Sequence, residues 1–149
     1  MIEKARIDDP PEILALVNEF ANRQLMLARS LNEVYESLRD FFVWREDGRI
    51  LGCAALHISW QGLAEVRSVA VRDDAQGRGI GRALVEGCLN EARELGIKRL
   101  FVLTYLPEFF QKFGFVPYPK EKLPHKIWAD CLNCPRFPDC DEVALIRDL

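Results

Sequence analysis

Gln76-Gly77-Arg78-Gly79-Ile80-Gly81 carries the strongest structural signal in this 149-residue chain. It follows an apolar run, Val66 to Val71, and opens an amphipathic stretch that ends near Leu95. A strand, a glycine-rich turn and a helix in this order form an anion cradle, because glycine lets backbone N–H groups converge and the helix N-terminus adds unpaired ones. The spacing matches neither a Walker loop nor G-x-G-x-x-G. We therefore expect a phosphate or pyrophosphate here, with a plain turn as the alternative.

The composition is that of a soluble globular protein, with 49% hydrophobic and 29% charged residues. A net charge of −3 gives no general attraction to nucleic acid or to an anionic membrane. The start of the chain is charged at once, so we expect no signal peptide, and no apolar run reaches the length of a membrane span. These features predict a cytoplasmic protein in which residues 1–149 form one domain.

The apolar periodicity predicts a mixed α/β sheet in the order β-α-α-β-β-β-α-β-α-β with a closing strand. Asp8-Asp9-Pro10-Pro11 supplies an N-cap acid and first-turn prolines for the first helix. Ser30 and Glu33 form a capping-box pattern before the second helix, and Glu46-Asp47-Gly48 is a hairpin signal. The predicted strands are 1–5, 41–45, 49–59, 64–71, 99–104, one starting at 115–116, and 143–147, and the later helices run from 79 to 95 and from 107 to 113.

The five cysteines fall into two groups. Cys53 and Cys88 lie among apolar residues and are expected to be small core residues in a reducing compartment. The second group lies in a predicted loop over 120–141 and comprises Cys131, Cys134 and Cys140, with His125 ahead of them. Its Cys-x2-Cys spacing favours a structural zinc site about as much as free thiols, and a disulfide is less favoured in the cytosol.

The glycine-rich segment resembles the acetyl-CoA signature of the GNAT acetyltransferases, Gln/Arg-x-x-Gly-x-Gly/Ala. Phe-Gly-Phe at 113–115 also matches the usual ending of that family. The resemblance implies a sheet with a splayed central strand pair, in which the 65–71 strand pairs with pantetheine and an amide near Val69 polarises the acetyl group. It implies acetyl-CoA as the cosubstrate, bound by Val69, Ala70, Val71, Gln76, Gly77, Arg78, Gly79, Ile80, Gly81 and Arg82.

Further stretches are similar to the acetyltransferase domain of the N-acetylglutamate synthases, which begin arginine biosynthesis. They span roughly 25–116 and include Arg29-Ser30, Phe41-Phe42-Val43, Cys53-Ala54-Ala55-Leu56, Leu100 to Thr104 and Phe110 to Phe115. Many synthases carry an amino-acid-kinase-like domain ahead of this one. The chain resembles the short, stand-alone forms, so we expect no arginine feedback through that domain. Residues 125 to 140 depart from the longer synthases.

The resemblance also implies catalytic roles. Acetyl transfer needs a neutral amine, and Glu65 matches the position of the base that removes the proton; a strand-end surface acid is the alternative. The tyrosine with which many GNAT enzymes protonate the departing thiolate is replaced by Phe110. Thr104 matches a position where the synthases carry Ser or Thr, so its hydroxyl is expected to hydrogen-bond the thiolate, with Tyr105 as the alternative donor. A β-branched strand end is the other explanation of Thr104.

Acceptor recognition is expected to rest on cations. Arg29 matches an arginine that the synthases use for glutamate, and a guanidinium fork suits a carboxylate. Lys126 or Arg136 is expected to supply a second contact, whereas Arg67 is expected to be a solvated surface residue.

The predicted function is therefore acetyl transfer from acetyl-CoA to the α-amine of L-glutamate by direct attack in a ternary complex. Another amino acid, a polyamine or a protein N-terminus is the alternative acceptor, and a non-catalytic CoA-binding module is the alternative class. A small-molecule amine is the expected partner, with neither nucleic acid nor membrane. The sequence leaves the oligomeric state open, with a homodimer among the options.

Overall fold

The computed structural model describes residues 1–23, 25–26, 28–123 and 142–149. Within these residues the chain forms seven strands and four α-helices. In chain order they are β1 (Ile2–Lys4), α1 (Pro10–Asn22), α2 (Leu31–Glu36), β2 (Phe41–Glu46), β3 (Arg49–Trp60), β4 (Leu63–Val71), α3 (Ile80–Leu95), β5 (Arg99–Thr104), α4 (Pro107–Gln111), β6 (Val116–Pro117) and β7 (Val143–Asp148).

The strands form one mixed sheet in the order β1-β2-β3-β4-β5-β7-β6. Its neighbouring strands are antiparallel except for β4 and β5, which run parallel. The parallel pairing joins Leu63 to Arg99 and ends where Glu65 pairs with Phe101. Both strands continue beyond that point, to Val71 and Thr104, without pairing with each other, while β4 stays paired with β3 and β5 with β7. The sheet is therefore split at its centre, which confirms the predicted splayed strand pair.

Each face of the sheet buries its own apolar cluster. On one face α3 packs Leu84, Cys88 and their neighbours against the inner residues of β3, β4 and β5. On the other face α1 and α2 cover a second cluster that includes Cys53. Both cysteines are buried, as predicted, and burial raises the pKa of each thiol to about 12. No helix among the described residues combines the length and the apolar character that a bilayer crossing needs.

The local signals correspond closely to the observed elements. Ser30 and Glu33 form both hydrogen bonds of the capping box at the start of α2. Asp47 and Gly48, with φ of 50° and 76°, form the tight turn between β2 and β3. Gly96 ends α3 in the left-handed conformation. The helix predicted over 107–113 is shorter, since α4 ends at Gln111.

The predicted N-cap acid and first-turn prolines of α1 are present, but the carboxylate of the acid has a different role. Asp9 occupies the N-cap position, but its carboxylate makes no hydrogen bond to the helix. Prolines 10 and 11 have no N–H to donate, and the N–H of Glu12 already donates to the Asp9 carbonyl at 3.0 Å. The carboxylate instead accepts hydrogen bonds from Arg45 Nη2 and from the backbone N–H of Arg6, each at 2.7 Å. Asp9 therefore joins α1 to β2.

Candidate active site

The separation of β4 and β5 opens a cavity of about 830 Å³. It is lined by the outer half of β4, the glycine turn, the end of β5, α4 and the loop before α2. It therefore extends from the start of α3 to Arg29. Nine of the ten residues predicted to bind the cofactor line it, and they are Val69, Ala70, Val71, Gln76, Gly77, Gly79, Ile80, Gly81 and Arg82.

The wall formed by β4 contains a β-bulge. Cys53 pairs with Ala70 and Ala55 pairs with Arg67, so that two residues of β4 lie opposite one residue of β3. Ser68, one of the two extra residues, has a φ of 57°, a strained value for a residue other than glycine. Val69, whose amide is predicted to polarise the acetyl group, is the other residue of this bulge. A bulge redirects the backbone, so it is a suitable place for an amide that faces a ligand.

The glycine turn leads directly into α3. Gly79 is the N-cap of this helix with a φ of 81°, a conformation that favours glycine, and no side chain caps the first turn. A Cβ at Gly81 would lie 3.4 Å from the ring of Phe109, an ordinary contact distance, so a small residue is enough at this position. The first N–H groups of α3 and the positive end of its dipole adjoin the cavity, as an anion-binding site requires.

Two side chains of the turn have protein partners. The amide of Gln76 donates to the carbonyl of Val71 at 3.2 Å and to Asp73 Oδ1 at 3.4 Å, which ties the turn to the end of β4. Arg78 is the one predicted cofactor residue that does not line the cavity. Its guanidinium pairs with Glu46 in the β2–β3 hairpin and holds the pKa of that carboxyl below its ordinary value.

The predicted base lies where the two central strands part. Glu65 is the last residue of β4 that pairs with β5, it lines the cavity, and it is only 8% exposed. Its Oε1 lies 3.5 Å from Nη1 of Arg67, whose side chain is 15% exposed. A buried carboxylate held beside a guanidinium at the edge of a cavity can accept a proton from a bound ammonium group.

The two predicted hydroxyl donors are placed differently. Thr104, buried at the end of β5, lines the cavity, whereas Tyr105 is not among the described residues that do. Thr104 Oγ1 accepts a hydrogen bond from the N–H of Leu106 at 2.9 Å, which leaves its own hydroxyl proton to donate. Phe110 is buried in edge-to-face contact with Phe109 and Phe115. The geometry favours Thr104 over Tyr105 as the donor.

Arg29 lines the far end of the cavity. Its side chain is 18% exposed, and Nη1 lies 3.5 Å from Glu33 Oε2. Its backbone is held by Asn18 of α1, whose Oδ1 accepts from the Arg29 N–H at 3.2 Å and whose Nδ2 donates to the Arg29 carbonyl at 3.4 Å. With the capping box of Ser30 on its other side, Arg29 is fixed at the junction of α1 and α2.

Sequence reasoning missed three residues of this end. Arg67 was expected to be solvated, but it lines the cavity, and its position two residues after Glu65 on one strand was the available signal, since such residues share a face. Asn18 and the buried Glu142, which also lines the cavity, carried no recognisable signal because their roles depend on how distant segments pack. The predicted contacts of Lys126 or Arg136 and the zinc ligands His125, Cys131, Cys134 and Cys140 lie outside the described residues.

Residues 9–115 match the model of the acetyltransferase (GNAT) family, and the chain belongs to this family. It is 40% identical over 118 residues to an amino-acid acetyltransferase of Mycobacterium tuberculosis, covering 77% of this chain and 67% of that protein. It is 39% identical over 148 residues to an uncharacterised N-acetyltransferase of Chlorobaculum tepidum, covering 99% of this chain and 96% of that protein.

Solved structures of proteins bound to coenzyme A also match this chain. N-acetylglutamate synthase of Neisseria gonorrhoeae, complexed with coenzyme A and N-acetyl-glutamate, superposes with a TM-score of 0.90 at 30% identity. That match covers all of this chain, which spans 35% of the length of the synthase. A Mycobacterium tuberculosis protein in complex with CoA and a second ligand gives a TM-score of 0.85 at 30% identity and covers 100% and 99% of the two chains. The protein is thus an acetyl-CoA-dependent N-acetyltransferase.

Proposed function

We propose that the protein transfers the acetyl group of acetyl-CoA to the α-amine of L-glutamate. The observation that carries this proposal is that one cavity holds a buried carboxylate, Glu65, and a largely buried guanidinium, Arg29, at the end away from the glycine turn. The first group suits deprotonation of an ammonium, and the second suits a substrate carboxylate. The similarity to an N-acetylglutamate synthase supports the same acceptor. With this acceptor we propose a cytoplasmic role in arginine biosynthesis.

The reaction follows from the order of groups along the cavity. Glu65 takes one proton from the substrate ammonium, and the neutral amine attacks the thioester carbonyl as the carbon–nitrogen bond forms. The oxyanion receives a hydrogen bond from the amide of Val69 in the β4 bulge, a contribution of about 3 kcal/mol when such a donor is preorganised. As the carbon–sulfur bond breaks, the hydroxyl of Thr104 gives its proton to the leaving thiolate and takes up the second proton of the attacking nitrogen, so that it returns to its starting state.

The charges of the cavity wall favour an anionic acceptor. The described lining contains five cations and three acids, namely Arg23, Arg29, Arg67, Arg82 and Lys112 against Glu65, Asp73 and Glu142. A polyamine would have to approach these cations, at a cost in repulsion, whereas a dicarboxylic amino acid gains from them. This balance favours glutamate over the polyamine alternative.

The first test is CoA release from acetyl-CoA with each of the twenty amino acids and with spermidine as acceptor. We expect strong turnover with L-glutamate and little with L-aspartate or L-glutamine. Turnover with a different amine alone would overturn the glutamate assignment and leave the transferase class intact.

The matched mutational test removes the carboxylate-binding cation. Arg29→Ala should raise the KM for glutamate by about 10- to 100-fold, as expected when a charged hydrogen bond is lost, and leave the KM for acetyl-CoA near the wild-type value. The control is Arg49→Ala, which truncates an exposed arginine of the β2–β3 hairpin that does not line the cavity. Equal glutamate KM values in the two variants would contradict the role of Arg29.

A further inference from the structure

The proposed reaction releases a proton that must leave a buried base. An ammonium group gives up two protons as it becomes an amide, and the thiolate takes up only one of them. One proton per turnover therefore has to reach the solvent. Glu65 is 8% exposed at the inner end of the cavity, and during the reaction the two substrates cover it. A buried base in this position needs a neighbouring group that can carry its proton outward.

His57 is the residue of β3 that lies directly opposite Glu65 in the antiparallel pairing with β4. Side chains in such a pair point to the same face of the sheet, with their Cβ atoms about 5 Å apart. That face is the one covered by α1 and α2, because Cys53 and Ala55, at two-residue steps before His57, belong to the apolar cluster beneath these helices. The imidazole and the carboxylate are therefore neighbours.

The imidazole also has a fixed orientation. Its Nδ1 lies 2.7 Å from Oδ2 of Asp40, in the turn between α2 and β2. An ionised carboxylate can only accept, so Nδ1 carries the proton and Nε2 is the basic nitrogen. The His57 side chain is 38% exposed, whereas Glu65 is covered. His57 thus contacts the Asp40 carboxylate through Nδ1 and has access to water.

We propose that the Asp40–His57 pair is the proton exit of the active site, a role that rests on the proposed function of Glu65 as the base. The proton passes from the Glu65 carboxyl group to His57 Nε2, directly or through one water molecule. The bond to the Glu65 oxygen breaks as the bond to Nε2 forms, and the imidazolium is paired with the Asp40 carboxylate. Nε2 then gives the proton to bulk water, and both groups return to their starting state. Nη1 of Arg67, 3.5 Å from Oε1 of Glu65, pairs with the carboxylate once the proton has left.

The decisive experiment is chemical rescue. His57→Ala should lower kcat by about 100-fold or more, as expected for the loss of a proton-transfer group, while the KM for acetyl-CoA stays unchanged. Imidazole added to the assay should restore kcat in this variant and leave the wild type unaffected, because a merely structural loss is not repaired by a soluble base. Ile58→Ala, which truncates the next and exposed side chain on the opposite face, is the matched control and should keep wild-type kcat.

Asp40→Asn gives an independent variant that preserves the shape of the side chain, and it should lower kcat in the same direction. Glu65→Gln separates the role of Glu65 as the base from the role of His57 as the proton exit, since this variant should be slow with or without imidazole. If Glu65→Gln keeps the wild-type rate, the proposed function of Glu65 as the base is wrong. If Glu65→Gln is slow but His57→Ala is as fast as wild type, or is slow and unresponsive to imidazole, the proton exit is wrong and the base remains.

Discussion

The two ends of the cavity are built in different ways. The cofactor end consists mainly of the backbone of one continuous segment, from the bulge in β4 through the glycine turn to the start of α3. The acceptor end brings together side chains of four separate elements, among them Arg29, Glu65, Thr104 and Glu142. A backbone site depends on local conformation, whereas a side-chain site depends on how distant elements are packed. Changes in packing should therefore affect the acceptor more than the cofactor.

The largest effect on stability is expected at Asp9, the N-cap residue of α1. This helix also supports the acceptor end, because Asn18 of α1 holds the backbone of Arg29. Burial opposes ionisation of Asp9, but hydrogen bonds from Arg45 and the backbone of Arg6 outweigh it and hold the pKa of Asp9 below its ordinary value. Asp9→Asn should lower the free energy of unfolding at neutral pH by about 3 kcal/mol, because the guanidinium of Arg45 loses its buried partner. Urea unfolding measures this loss, and the KM for glutamate should rise more than the KM for acetyl-CoA.

The Asp9–Arg45 ion pair also predicts how the free energy of unfolding depends on pH. A carboxyl whose folded pKa is lowered stabilises the protein fully above its unfolded pKa of about 4, and the stabilisation is lost as the pH falls through the lower folded pKa. The difference in stability between wild type and Asp9→Asn should therefore shrink below about pH 4. Asp74→Asn, at an exposed ion pair with Arg72, is the control and should change little at any pH. A difference that persists at low pH would contradict the assigned pair.

A change in backbone conformation tests the cofactor end. Gly79→Ala places a Cβ on a residue with a φ of 81°, at a cost of about 1–2 kcal/mol, and disturbs the start of α3. The KM for acetyl-CoA should rise by about tenfold, while the KM for glutamate stays near the wild-type value. Gly48→Ala is a matched control, since Gly48 has a φ of 76° and is likewise free of neighbours within 4 Å, but it lies in the β2–β3 hairpin. An equal rise in both variants would mean that strain alone, and not the anion cradle, causes the effect.

The difference between a site built from local backbone and a site built from distant side chains also explains what could be predicted from the sequence. The capping box of Ser30, the turn at Asp47 and the helix end at Gly96 were predicted correctly because each depends on a few adjacent residues. The glycine turn belongs to this group. The β4 bulge at Ser68 was not predicted, since no glycine marks it and its position is set by the pairing with β3.

The acceptor end shows the limit of sequence reasoning. Glu65 and Arg29 were proposed from a resemblance, and their position at one cavity became visible only in the folded chain. Arg67 was expected in solvent, although its position two residues after Glu65 on one strand places both side chains on the same face. The pairing of His57 with Glu65 is a matter of register, and a shift of one residue would place the two side chains on opposite faces.

The smallest expected effect on acceptor binding concerns Asn18, which contacts the acceptor end only through the backbone of Arg29. Its two hydrogen bonds hold the peptide of Arg29, so Asn18→Ala should loosen the position of that guanidinium without removing it. We expect the KM for glutamate to rise about three- to tenfold, the value of one or two neutral hydrogen bonds, with kcat and the KM for acetyl-CoA nearly unchanged. Asn32→Ala, which removes an exposed contact to Glu36 on α2, controls for general changes in this helix pair.

The effect of Asn18→Ala should also vanish in an Arg29→Ala background, because a residue that acts through Arg29 has nothing left to position there. An undiminished effect in the double variant would show that Asn18 influences the acceptor by another route, and the acceptor end would then depend on α1 itself rather than on the arginine that α1 holds.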